Sequence, residues 1–300
     1  KDAAPAKVPD AGVDIAGIVA AECESSSPFD SRVAAEIEKR LTLLPADRIE
    51  PALAKAEAIR EASHRLLAQC ALLRLLTKHE PERAFRRTVT LLSSMPRAEL
   101  ERVGHADSLL EDSLGMALKA WAASKPEAAA EACRALLQAH QLQYAADFGR
   151  PGESFRASVL ATPFLEYVKH KEGSGLKLLR TLPPDLASEV LSQWAAATDA
   201  RDTVILTEIA RLDKDQRRAP LCAMARRLGR AHKLNEVEKL MSGKDVDEST
   251  RTAMACGASS LEDLDWLRGR VSPDASGARI GSLIRDADWH SGIPDQVRKA

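Results

Sequence analysis

With 300 residues, 45% of them apolar but only 4% aromatic, the chain has length for two ordinary domains or one elongated one and suits closely packed helices better than a thick sheet core. Forty-three Lys and Arg against 44 Asp and Glu leave a formal charge of −1, so the whole molecule has no field to recruit nucleic acid or an anionic membrane. The longest uncharged apolar run near the start, Ile15 to Ala21, is far too short to cross a bilayer, and Asp14 spoils it as a signal-peptide core.

Lys1 to Gly12 is a Pro/Ala/Lys/Asp stretch without periodicity, which predicts a tether ahead of a single elongated domain over 13–300. The first residue is not methionine, so a trimmed chain and a removed leader are equally good readings, and the compartment stays open between cytoplasm and export. Val13 to Glu24 reads as a short apolar helix closed by Ser25-Ser26-Ser27-Pro28. Asp30 or Ser31 can cap the next helix, which runs to about Leu44 and is stopped by Pro45. From Ile49 to about His79 the spacing is helical with a bend near Ser63; Pro81 then opens a helix ending near Met95-Pro96, and a short piece over Pro96 to Val103 follows.

The hinge of the pattern lies between Leu118 and Leu137. Leu110, Leu114, Ala117, Leu118 and Trp121 form one apolar stripe, and Ala129, Cys133, Leu136, Leu137 and His140 form a second, so two antiparallel helices can close on each other. Between them Pro126 suits the first turn of a helix, where a missing N–H costs nothing, and Glu127 complements the positive end of the helix dipole. Gln141 to Glu153 is the longest break in periodicity and predicts a loop carrying Tyr144 and Phe148. Ser154 to His170 resumes a helix through Phe155, Val159, Leu160, Phe164 and Val168, and Glu172-Gly173-Ser174-Gly175 reads as its stop before a short helix over Leu176 to Leu182.

Helical spacing continues over Pro184 to Thr198, Asp202 to Leu212, Arg218 to Leu228, Leu234 to Met241, Glu248 to Cys256, Leu261 to Arg268 and Ala278 to Ala287. The nearest strand candidate, Thr203 to Thr207, lies inside one of these segments. A further helix would begin after Pro294, which predicts more repeats beyond the end of the chain.

One correspondence stands out: Pro81 and Pro126, and likewise Leu76 and Trp121, are 45 residues apart, with Glu82 on Glu127, Ala84 on Ala129 and Thr88 on Cys133. Leu191 and Trp194 repeat the first half of the hairpin 73 residues after Leu118 and Trp121. The fold class expected is therefore all-α, stacked antiparallel hairpins forming an α-solenoid. Unequal copies of this size resemble HEAT-type more than tetratricopeptide repeats, and the stretch from Trp121 through Pro126 to Ala129 is similar to a turn signature of uncharacterised bacterial helical-repeat proteins. What the resemblance implies is a scaffold that binds other macromolecules, not a chemistry.

Local motifs for chemistry fail one by one. His79-Glu80-Pro81-Glu82-Arg83 has arginine where a zinc-protease helix needs its second histidine, and the seven histidines contain no pair three or four apart. Gly152-Glu153-Ser154 resembles the start of a lytic transglycosylase motif, but ASVLATPFLEYV replaces the required continuation. Gly173-Ser174-Gly175-Leu176-Lys177 is too short for a phosphate loop and follows no strand. Cys23, Cys70, Cys133, Cys222 and Cys256 are widely spaced and read as small buried apolar residues. No catalytic residue, metal ligand or cofactor is assigned.

Two binding surfaces are expected. The leading one is a protein-docking face around Tyr144 and Phe148. The alternative is polyanion or nucleic-acid binding through the basic run from Arg211 to Lys233, which holds Arg217, Arg218, Arg226, Arg227 and Arg230 but lacks aromatic residues for base stacking. A third reading is an enzyme whose site is assembled from distant residues and so leaves no local motif.

Overall fold

The leucine- and alanine-rich run from Ala62 to His79 offers apolar side chains on every face, and in the computed structural model it is one helix with neighbours all around it. The structure describes residues 14–25, 31–42, 44–94, 106–138, 153–244, 246–258, 266–267 and 269–271. These hold fourteen helices and no strand among the described residues. The predicted tether, the Tyr144/Phe148 loop, the piece over Pro96 to Val103 and the segment Ala278 to Ala287 lie outside them. The chain divides into two compact units, Lys1–Ala145 and Ala146–Ala300.

In the first unit the helices are α1 (Ile15–Ser25), α2 (Ser31–Leu41), α3 (Ala46–Glu57), α4 (Ala62–His79), α5 (Pro81–Ser94), α6 (Ala106–Ser124) and α7 (Pro126–Gln138). The segment expected as one bent helix from Ile49 to His79 is two, because the chain leaves helical geometry between Ala58 and Glu61. α4 packs against α1, α2, α3, α5 and α6, and every residue from Leu66 to Thr77 is buried. A fully buried leucine contributes roughly 2 kcal/mol, so the six leucines of this run are the main apolar investment of the unit.

Both proline-marked corners are where the sequence spacing puts them. α4 ends at His79 and α5 starts at Pro81, with Glu80 alone between them; α6 ends at Ser124 and α7 starts at Pro126, with Lys125 alone between them. The amides of Glu80 and Lys125 donate back to Leu76 and Trp121 at 2.7 and 2.8 Å, and the carbonyls of Glu80 and Lys125 accept from Ala84 and Ala129 at 2.9 and 3.1 Å. The α6 stripe is buried as expected, and Trp121 meets Phe85 of α5 with ring centroids 5.4 Å apart.

The second unit holds α8 (Glu153–His170), α9 (Glu172–Leu179), α10 (Pro184–Ala196), α11 (Asp202–Ile209), α12 (Lys214–Arg230), α13 (Leu234–Met241) and α14 (Glu248–Ala258). The longer helices α8, α10, α12 and α14 pack in succession, each on the next, and the eight-residue helices α9, α11 and α13 join them. The expected stop at Glu172-Gly173-Ser174-Gly175 is instead the first turn of α9. Gly175 is there for close approach: a Cβ on it would sit 2.5 Å from the Val168 Cα in α8. Each short helix follows a basic residue, Lys171, Arg201 or Lys233, whose carbonyl accepts from the amide of Gly175, Ile205 or Val237.

α12 closes with two bonds that satisfy its last carbonyls: the His232 amide reaches Gly229 and the Lys233 amide reaches Leu228, both at 2.9 Å. His232 takes the left-handed conformation this ending demands, with φ 56°.

Candidate functional site

A cavity of about 270 Å³ opens in the second unit where the ends of α9 and α11 face α10. Its floor is apolar. Leu179 ends α9 and Leu182 lies in the turn after it, and Ala187 and Leu191 come from one face of α10, at the four-residue spacing that puts them on the same stripe. Leu212, half-buried, forms the wall on the α11 side.

The rim is charged and organised around one buried carboxylate. Glu208 of α11 is only 4% exposed, and Arg180, just past α9, grips it with two hydrogen bonds, Nε to Oε2 at 3.0 Å and Nη2 to Oε1 at 2.5 Å. Arg211 approaches the same carboxylate with Nε at 3.6 Å from Oε1. The bidentate fork satisfies both carboxylate oxygens, and the Glu208 bonds hold the Arg180 proton more tightly than usual. The Arg211 guanidinium stays mostly in solvent, and the exposed Asp213 faces the same cavity. Both Glu208 carboxylate oxygens are thus engaged by Arg180 at the edge of the cavity.

The basic run chosen from sequence separates into two sets. Arg217 donates Nε to the Leu212 carbonyl at 2.8 Å and Nη2 to the Ala210 carbonyl at 2.9 Å, closing the end of α11. Arg227 donates Nε to the Ala195 carbonyl at 2.7 Å and Nη2 to the Asp202 carboxylate, tying α12 to the end of α10 and the start of α11. These two guanidiniums serve the packing of the unit. Lys214, Arg218, Arg226 and Arg230 are exposed, and with Cys222 they fall at four-residue steps along α12. Burial pushes the Cys222 thiol up to about 11 against the pull of Arg218 and Arg226. Asp247, at the start of α14, accepts from the Thr250 amide at 2.7 Å; that bond first, and then the Thr250 hydroxyl, Lys214 and Arg218, holds its carboxyl below the usual range.

Of the five cysteines expected inside, two are buried, whereas Cys23, Cys222 and Cys256 are only half-buried. Cys70 and Cys133 are fully buried, and burial raises their thiols to about 11 and about 12. Among the described residues no group of three His, Cys, Asp or Glu side chains could hold a metal ion, and no helix is long and apolar enough to cross a membrane.

Sequence reasoning missed Arg180, Glu208 and Leu212, and it placed Arg211 only at the head of the basic run. The Arg180–Glu208 pair spans 28 positions, so no local motif contains it. A signal was nevertheless present: Glu172 pairs with Arg201 across 29 positions and Asp202 with Arg227 across 25, so opposite charges recur at about the spacing of the short helices. Compared with known protein families, curated proteins and solved structures, the chain matches none.

Proposed function

We propose that this chain is a noncatalytic helical-repeat platform, an α-solenoid of hairpins, that binds a protein partner, and that the cavity between α9, α10 and α11 receives one large apolar side chain of that partner. The observation that carries this reading is the size and lining of the cavity. At about 270 Å³ over a leucine floor, it has room for a single Leu, Phe or Trp anchor. An apolar seat ringed by charged side chains is the arrangement of an interface hot spot, where the anchor supplies energy and the rim excludes water and fixes orientation. Arg211, mostly solvated and only loosely held by Glu208, is the rim group placed to take an acidic residue beside the anchor.

The test is selection from a random peptide display library on the immobilised full chain, with the enriched sequences then assayed for binding to the Leu212→Asp protein. Enrichment of a large apolar residue flanked by an acidic one, lost on Leu212→Asp, is the expected result. Sequences that bind both proteins equally contradict the assignment.

A second reading rests on a separate observation, the exposed ridge of Lys214, Arg218, Arg226 and Arg230 on α12. It predicts polyanion binding whose log K falls steeply with log salt and is abolished in Arg218→Glu/Arg226→Glu/Arg230→Glu; a heparin titration across a salt series measures it.

A further inference from the structure

The chain leaves α9 and α11 along the same path. Arg180 and Ala210, the residues just past the two helices, keep nearly helical backbone angles, φ −67°, ψ −11° and φ −62°, ψ −17°. The amides of Arg180, Thr181 and Leu182 donate to Leu176, Leu178 and Leu179; those of Ala210, Arg211 and Leu212, each thirty positions on, donate to Leu206, Glu208 and Ile209. A long helix then begins, α10 at Pro184 and α12 at Lys214. The match breaks at the fourth residue of those long helices. In α12 it is Arg217, which reaches back to the carbonyls of Leu212 and Ala210 at 2.8 and 2.9 Å. In α14 it is Arg251, whose Nε donates to the carbonyl of Met241, the last residue of α13, at 3.0 Å. In α10 it is Ala187, which has no side-chain donor.

The α9–α11 cavity is what this difference leaves. Arg180, Leu182 and Ala187 all line it, so the space opens where a guanidinium lies one helix pair further on. The carbonyls that end a helix lack partners inside it and carry the negative end of its dipole, so they favour a cationic donor. Two carbonyls disposed for the Nε and Nη of one planar fork ask for a guanidinium; an ammonium, a strongly hydrated point charge, does not match that fork. Charge does not oppose its entry, because Glu208 and Asp213 answer Arg180 and Arg211 around the same cavity. The methylenes of an arginine stem can lie over Leu179 and Leu191 on the apolar floor.

We propose that the α9–α11 cavity seats a guanidinium of the docking partner: an arginine beside the apolar anchor donates to the carbonyls of Leu182 and Arg180, as Arg217 does to those of Leu212 and Ala210. The proposal deepens the docking reading and rests on it for the source of the arginine. The seat itself rests on the side chain that Ala187 lacks.

The experiment titrates propylguanidinium and propylammonium into the ¹⁵N-labelled full chain and reads the backbone amides of 179–191. Propylguanidinium should give a saturable shift, with propylammonium about tenfold weaker or weaker still, since it lacks the planar fork. Ala187→Arg supplies the guanidinium from the chain itself, so it should abolish that response and melt at a higher temperature. If Ala187→Arg fails to fold, the converse variant decides: Arg217→Ala empties the matching seat, and propylguanidinium should raise its melting temperature more than it raises that of the unaltered chain. No saturable shift, equal shifts for the two cations, a response that survives Ala187→Arg, or no preferential rise in Arg217→Ala overturns the proposal. Peptides enriched by display on the full chain separate this proposal from the docking reading. They should carry an arginine whose replacement by lysine weakens binding about tenfold. Enriched peptides without arginine that are still lost on Leu212→Asp overturn the guanidinium seat and spare the anchor, whereas a propylguanidinium response with no enriched peptide overturns the docking reading and spares the seat.

Discussion

The corner after α4 and the corner after α8 have the same backbone and different sequences. Glu80 sits at φ −135°, ψ 70° and Lys171 at φ −135°, ψ 73°. After Glu80 comes Pro81, whereas after Lys171 come Glu172, Gly173, Ser174 and Gly175. Proline therefore permits this corner and does not create it: the first helical position needs no N–H donor, so proline loses nothing there, but neither does glutamate. What the corners share lies three residues further on. Ala84, Ala129 and Gly175 each donate their amide to the corner carbonyl, and all three are buried. The small residue lets the new helix pass against the old one. At Gly175 the approach is closest, with Val168 backbone where a Cβ would stand.

Three sets of substitutions break or sharpen this comparison, each read by urea denaturation of the full chain. The largest effect belongs to Ala84→Leu and Ala129→Leu, which should each cost about 3 kcal/mol, the upper end of what overpacking a closed site costs. If either is neutral, the shared small residue is incidental. Next comes a pair of opposite sign in a single turn. Gly175→Ala should cost about 2 kcal/mol because the obstructing atoms are backbone and cannot rotate away. Gly173→Ala, with nothing within 4 Å of the added carbon, should gain about 0.5 kcal/mol from the reduced freedom of the unfolded chain. Equal effects at the two glycines would remove the close approach from the account. The smallest effect is expected for Pro81→Ala and Pro126→Ala, each about 0.5 kcal/mol, with the corner retained.

Arg227→Ala against Arg226→Ala puts the same kind of contrast on the basic helix. The first leaves the Ala195 carbonyl and Asp202 without their guanidinium and should cost about 2 kcal/mol, while the second removes an exposed charge and should stay within about 0.5 kcal/mol. Thermal unfolding of the two variants separates packing arginines from surface ones.

These contrasts explain which parts were legible in the sequence. Long amphipathic stretches such as Leu110 to Trp121 carry their period over several turns, and the prolines at 81 and 126 mark helix starts chemically. The corner at Lys171 was misread because a glycine pair is the ordinary sign of a helix end, and only the contact with Val168 reveals that Gly175 is wanted for its missing side chain. The eight-residue helices α11 and α13 were legible too, Leu234 to Met241 with the bounds expected and Asp202 to Leu212 three residues too long, although Arg201 and Lys233 ahead of them make no side-chain cap. The α9–α11 cavity was invisible for a different reason. Its Arg180–Glu208 pair and its leucines lie on three separate helices, and a local pattern cannot report a surface that exists only after they pack. Of the basic residues picked for charge, Arg217 and Arg227 were spent on carbonyls, an assignment that requires knowing where α10 and α11 end.

The most direct measurement is hydrogen–deuterium exchange of the full chain with and without a peptide enriched by the display selection. The proposed function predicts added protection confined to the amides around 179–191 and 208–213, which border the α9–α11 cavity. Protection that appears along α12 alone, or in the first unit alone, would contradict it.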